Sequence, residues 1–191
     1  MNTGTIAIAM AGVIVFAGCG RPQPRVMVET TLGNIVIEIY QDRAPITANN
    51  FLRLVDDGRY TGAAFYRSVT ETNQPGDSVK IEVIQGGLED RDSGLVPIVH
   101  ETTSGTGVRH ADGVISMARL EPGTASSEFF ICIGNQPELD AGGKRNPDRQ
   151  GFAAFGRVLE GMDVVRTIHR QPVEGQKLAP PIPIKRIFRI R

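Results

Sequence analysis

The sequence predicts a mainly β domain, a sandwich or a barrel, and three observations predict it. Runs rich in β-branched residues recur, beginning with Val26-Met27-Val28-Glu29-Thr30 and Ile35-Val36-Ile37-Glu38-Ile39-Tyr40. From residue 65 to 157 the chain is a series of short apolar segments separated by Gly, Pro, Asn and Asp. The 191 residues include 22 Gly and 12 Pro, which suits a turn-rich β protein better than a helical bundle.

Taken in order, residues 1–18 stand apart. Residues 5–18 are small and apolar with no charged side chain, shorter than the roughly 20 residues a membrane span requires. They read as the apolar region of a secretory signal ending in Phe16-Ala17-Gly18-Cys19, similar to a lipoprotein cleavage box in which Cys19 becomes the lipidated first residue. An ordinary cleaved signal and an uncleaved anchor are the alternatives. Residues 19–25, with Pro22 and Pro24 among polar neighbours, read as a tether, and 26–191 as the folded domain.

The two opening runs flank Thr31-Leu32-Gly33-Asn34 and predict a hairpin. Pro45, then Ile46, Asn49, Phe51, Leu54 and Val55 at near-helical spacing, predict a helix that stops at Gly58. Residues 79–85, 114–118, 129–133 and 152–158 are candidate strands. Residues 162–169, with Val164, Val165 and Ile168 apolar, predict a second helix, and 184–190 a closing strand.

Charge and motifs exclude several function classes. Twenty-one basic and 21 acidic residues cancel, so no basic field points to nucleic acid. There is no Gly-x-Ser-x-Gly elbow, and Ser126 and Ser127 read as ordinary serines. His100-Glu101 lacks a second His at zincin spacing, and Gly105-Thr106-Gly107 reads as a turn. No metal and no cofactor are expected. Cys19 and Cys132 are the only cysteines, and Cys132, in an apolar run, reads as a buried small hydrophobe.

Six blocks then follow in order: Phe65-Tyr66-Arg67, Gln85-Gly86-Gly87, Ser116-Met117-Ala118, Ser126 to Gly134, Glu138-Leu139-Asp140 and Gly151-Phe152-Ala153-Ala154-Phe155-Gly156. Together they resemble the cyclophilins, peptidyl-prolyl cis-trans isomerases, from about Val26 to Arg191. The resemblance implies a closed eight-stranded antiparallel barrel capped by two helices. It implies isomerase activity on proline-containing polypeptides, acting as a monomer. The exported, lipid-anchored reading of the N-terminus adds a cell-envelope location and clients that fold outside the cytoplasm.

The resemblance also nominates residues. Arg67 takes the place of the essential arginine, and a planar fork of donors suits a twisted amide whose nitrogen has regained its lone pair. Phe130 and Leu139 match the proline pocket, Gln85 a glutamine bonded to substrate backbone, and Ala118 a small groove residue. Other positions depart from the family. The pocket Phe-Met pair falls on Glu82-Val83, the groove Asn on Arg119, a glutamine on Glu128, a pocket aromatic on Glu138 and the pocket His on Phe152. Insertions stand at Asn73-Gln74-Pro75-Gly76-Asp77 and Asn146-Pro147-Asp148-Arg149-Gln150. Glu128 is expected to face the groove and pair with Arg67. Glu82 is expected to put a carboxylate in the pocket wall, against its desolvation cost. These changes open an alternative: a weakly active or inactive proline-peptide-binding module.

Overall fold

The structure is a computed structural model that describes residues 22–89 and 94–191. The signal segment 1–18 and Cys19 lie outside the described residues, as do the first residues of the tether. β1 (Arg25–Thr30) and β2 (Asn34–Ile39) form the expected hairpin, with Val28 opposite Ile35. Gly33 at its tip has φ 137°, and a side chain there would collide with Val164. Next come α1 (Pro45–Asp56), β3 (Ala64–Val69), β4 (Val83–Gly87), the one-turn α2 (Thr103–Thr106), β5 (Val114–Met117) and β6 (Phe129–Cys132). A 3₁₀ turn (Pro137–Leu139), β7 (Ala153–Glu160), α3 (Met162–His169), β8 (Val173–Glu174) and β9 (Lys177–Ile190) complete the chain.

The nine strands run in the order β1-β2-β7-β5-β6-β4-β3-β9-β8, and β1 also pairs with β9. That pairing closes the first eight into a ring and leaves the two-residue β8 as a hairpin partner of β9. All pairings are antiparallel. This is the closed eight-stranded barrel the resemblance implied, and closure removes the free sheet edges.

Side chains fill the ring. Phe129 meets Phe51 and Phe65 edge-on, with centroids 5.7 and 5.8 Å apart, and Phe51 also packs on Phe155 at 5.2 Å. Phe51 comes from α1, whose buried face (Ala48, Phe51, Leu52, Leu54, Val55) lies on β7 and β9. α3 buries Val165 and Ile168 and packs on β2, β3 and β4. The N-terminus of α1 has no capping side chain of its own at Ala44. The Glu101 carboxylate fills in from across the fold, accepting from the N–H of Ile46 (3.1 Å) and Thr47 (2.6 Å). Glu101 is thus a helix cap. Among the described residues no cluster of His, Cys, Asp or Glu could hold a metal, and no helix is long and apolar enough to cross a membrane.

Several boundaries differ from the sequence reading. β4 begins at Val83 rather than at 79, because residues 70–82, which include the inserted Asn73–Asp77 turn, form no strand. β9 begins at Lys177, well before 184. Its prolines Pro180, Pro181 and Pro183 are exposed, while Leu178, Ile182 and Ile184 keep one buried face through the run. Proline lowers expectation of a strand because it lacks an N–H, and here the buried alternation lapses at Pro180 and resumes at Ile182. Cys132 is buried as expected, and burial pushes its thiol far above the ordinary range.

Candidate active site

The site starts from strand parity. Cross-strand register sets Arg67 opposite Gln85, Gln85 opposite Phe130 and Phe130 opposite Ser116, one row running across β3, β4, β6 and β5. Neighbouring residues face the other way, so Phe129 enters the core while Phe130 joins a separate apolar cluster with Val69, Ile81, Val83, Cys132 and Leu139. Gly86 sits opposite Phe129, and a side chain there would strike the backbone of Ala64 and the ring of Phe65. Its hydrogen is what admits the aromatic cluster.

Over this row lies a groove of about 340 Å³. Arg67, Gln85, Ala118, Glu128, Phe130, Leu139 and Phe152, all nominated from sequence, line it together. Its floor is apolar. Phe152 stands edge-on to Phe130, centroids 5.2 Å apart at 87°. Ile81 and Val83 complete the wall. Glu82 does not line the groove, which corrects the expectation of a carboxylate in the wall. Period-two counting back from Gln85 reaches Val83 and Ile81, the signal that sequence reasoning passed over. Glu138 also turns away, its carboxylate accepting from the Lys144 N–H at 2.7 Å.

Arg119, at the position of the groove Asn, lines the groove although its side chain is only 1% exposed. It donates to both carboxylate oxygens of Asp148 (2.8 and 2.9 Å) and to the Gly151 carbonyl, and stacks over Phe152 at 5.3 Å. That pairing holds the Asp148 carboxyl below its ordinary pKa, with the Arg119 hydrogen bonds the main cause. The inserted 146–150 loop is thereby fastened to the groove. Arg145 does the same for the other insertion, reaching the Gln74 side chain, the Val79 carbonyl and Asp77.

The expected Arg67–Glu128 pair does not form. Glu128 lines the groove but accepts from Tyr66 Oη (2.5 Å), the N–H groups of Leu88 (2.7 Å) and Glu89 (3.0 Å), and Ser127 Oγ (3.1 Å). The turn after β4 aims those two N–H groups at it. Gly87, at φ 149°, makes room, since a side chain there would overlap the carboxylate.

Arg67 instead donates from Nη1 to Gln85 Oε1 (2.9 Å) and from Nε (2.9 Å) and Nη2 (2.5 Å) to Gln176 Oε1. A guanidinium has five N–H donors. Three are taken, and among the described residues the other two have no protein acceptor. Burial first, then the nearby Arg145 charge, pull Arg67 below the ordinary arginine value. Gln176 lies in the turn between β8 and β9, and nothing in the sequence pattern connects it to Arg67.

Behind Phe130 lies a buried set that sequence reasoning also missed. His110 Nδ1 is 2.8 Å from Asp140 Oδ1, its Nε2 is 3.0 Å from Ser116 Oγ, and its ring stacks with Phe130 at 5.9 Å. Burial works to raise the Asp140 pKa, but the His110 hydrogen bonds and the Arg109 charge outweigh it and hold it below the ordinary range. The order Ser-His-Asp is that of a nucleophilic triad, but Ser116 is 0% exposed, so the set backs the pocket.

The model of the family described as "Cyclophilin type peptidyl-prolyl cis-trans isomerase/CLD" matches residues 25–188. A peptidyl-prolyl cis-trans isomerase of Acinetobacter baylyi is 32% identical over 173 residues, covering 87% of this chain and 82% of the relative. One of Streptomyces antibioticus is 36% identical over 148 residues, covering 75% and 81%. The crystal structure of a Cryptosporidium parvum cyclophilin type isomerase superposes with a TM-score of 0.71 at 22% identity, over 88% of this chain and 98% of that one. The same protein crystallised in the presence of the dipeptide Ala-Pro gives 0.69. With the barrel closed in the same way and the family model spanning nearly all of it, this chain belongs to the cyclophilin-type peptidyl-prolyl cis-trans isomerases.

Proposed function

We propose that the groove turns over X-Pro bonds in extended segments of exported polypeptides, with Arg67 as the catalytic donor. The observation that carries this is two N–H groups of a held guanidinium, without an acceptor among the described residues, beside an apolar pocket. The reaction breaks no covalent bond. Its barrier is amide resonance, about 18–20 kcal/mol, and the uncatalysed step takes tens to hundreds of seconds. Phe130, Leu139, Phe152, Ile81 and Val83 hold the proline ring. The preceding carbonyl then rotates, the prolyl nitrogen becomes pyramidal, and Arg67 donates to its lone pair. That contact exists only in the twisted state, so it lowers the barrier without tightening the ground state.

One observation favours a second reading, a binding module of low turnover. The Gln85 carbonyl and one of its two amide N–H groups are engaged with described residues, which leaves a single N–H for substrate backbone, in a direction set by Tyr66 and Arg67. A protease-coupled assay on a proline tetrapeptide, with calorimetric peptide binding beside it, separates the two. The enzyme reading expects Arg67→Ala to lose turnover and keep affinity. A wild type that binds the peptide but adds nothing to the uncatalysed rate leaves the module.

The clients and location follow from the N-terminus. Residues 1–18 act as a secretory signal and Cys19 as the acylated first residue of the mature chain, in the cell envelope facing the periplasm or the exterior. One acyl chain anchors only marginally, so stable attachment takes more than one. Intact mass of membrane-extracted protein is expected to show cleavage before Cys19 and added acyl mass. An unmodified Cys19 leaves the plain-signal and uncleaved-anchor readings.

A further inference from the structure

The polar side of the groove is a chain of hydrogen bonds with a single permitted direction. At one end Glu128 accepts in all four of its bonds to described residues. At the other, Arg67 has only donors. The two links between can each donate or accept: Tyr66 Oη donates to Glu128, and Gln85 Nε2 donates to Tyr66 Oη at 2.6 Å. That leaves the Gln85 carbonyl for Arg67 Nη1. An acceptor-only end and a donor-only end thus agree on one orientation of the amide. A register shift between Phe65 and Arg67 makes this possible, since it lets the neighbours Tyr66 and Arg67 both reach Gln85. On the other side of the guanidinium, Gln176 takes Nε and Nη2, and its own Nε2 donates to the Asn73 carbonyl at 3.1 Å.

We propose that Tyr66, Glu128 and Gln176 are positioning residues for Arg67: acting from two sides, they fix the guanidinium so that its two free N–H groups face the groove. Gln85 belongs to this device as the link that aims Arg67, and the chain uses only one of its two amide N–H groups. The proposal rests on the reading of Arg67 as the catalytic donor. Glu128 therefore supports activity. An amide at 128 could present its NH₂ to Tyr66, and the chain would lose its direction. The Gln85 amide could then turn its own NH₂ toward Arg67, donor against donor.

The test is a set of variants assayed for kcat, KM and thermal unfolding on a neutral proline tetrapeptide. Tyr66→Phe is expected to lower kcat about tenfold, with KM nearly unchanged, because a catalytic group is misaimed rather than a binding surface removed. Adding Gln85→Ala to Tyr66→Phe is expected to cost little beyond Gln85→Ala alone, since both break one chain. Gln176→Leu, on the opposite edge, is expected to lower kcat independently. Glu128→Gln is expected to lower kcat too. In an Arg67→Ala background none of these changes should matter. The proposal is overturned if folded Tyr66→Phe and Gln176→Leu keep wild-type kcat, if Glu128→Gln is faster than wild type, or if the losses persist without Arg67. Should Tyr66→Phe not fold, Gln176→Leu and Glu128→Gln decide the same question. Failure of the underlying reading looks different: Arg67→Ala would turn over as fast as wild type.

Discussion

Replacing Arg67 by lysine tests the catalytic reading most directly, because the charge stays and only the donor geometry changes. Arg67 has five N–H donors, of which Gln85 and Gln176 take three. A lysine has three in all. If two satisfy the same amides, one remains for the substrate where arginine offered two, and its direction is no longer fixed by a planar fork. Loss of one preorganised donor aimed at a transition state costs about 2.7–4 kcal/mol, a factor of about 10²–10³ in turnover. Arg67→Lys is therefore expected to lose that much kcat/KM in the protease-coupled assay, mostly in kcat, and Arg67→Ala at least as much. Thermal unfolding run alongside confirms that the half-buried position tolerates the change. If Arg67→Lys kept more than about a third of wild-type kcat/KM, a loss under ~0.7 kcal/mol, the fork geometry would play no part in the reaction.

The pocket, the rim and the buried carboxylate give further tests. Phe130 is 4% exposed between Phe152 and His110, so Phe130→Ala is expected to lose about 3–5 kcal/mol of stability as well as peptide affinity. Phe130→Leu should fold and still bind a proline peptide less tightly by calorimetry, and normal binding takes Phe130 out of the pocket. Arg119→Met leaves the buried Gly151 carbonyl without its donor, for a cost of about 1–3 kcal/mol, and leaves Asp148 with the Gln150 N–H alone; KM should rise and the 146–150 loop become open to proteolysis. For Asp140 the folded pKa lies below the unfolded value. Its stabilisation is full above the unfolded pKa of about 4 and is lost as pH falls through the lower folded value. Denaturant midpoints should fall through that acid range in wild type and less steeply in Asp140→Asn; equal slopes refute the linkage.

The barrel was legible because its elements repeat simple periods. The hairpin around Gly33, the helix from Pro45 and the helix Met162–His169 follow apolar spacing closely. Where the chain left those periods, boundaries slipped: proline hid the first half of β9, and the inserted turn delayed β4. At the site, Arg67, Phe130 and Leu139 sit in short motifs, so sequence alone named them. Glu82 was misplaced by one residue, and in a strand one residue is the opposite face. The partners of Glu128 and of Arg67 were beyond sequence reasoning. Gln176 is 109 residues from Arg67, and only ring closure through β9 brings them together. His110 reaches Asp140 across 30 residues because the paired strands β5 and β6 bring the loops at their ends together.

The barrel interior is packed with Phe51, Phe65, Phe129 and Phe155, and the groove lies on its outer wall. There is no lumen to thread and no free chain end to find. A polypeptide can lay any internal stretch across the groove and lift off again, however long or bulky it is on either side. What limits such a catalyst is local: a few residues around the proline must be able to part from their own neighbours. A half-folded chain meets that condition at its loops and a finished one seldom does, so action fades as folding completes, with no separate signal to stop it.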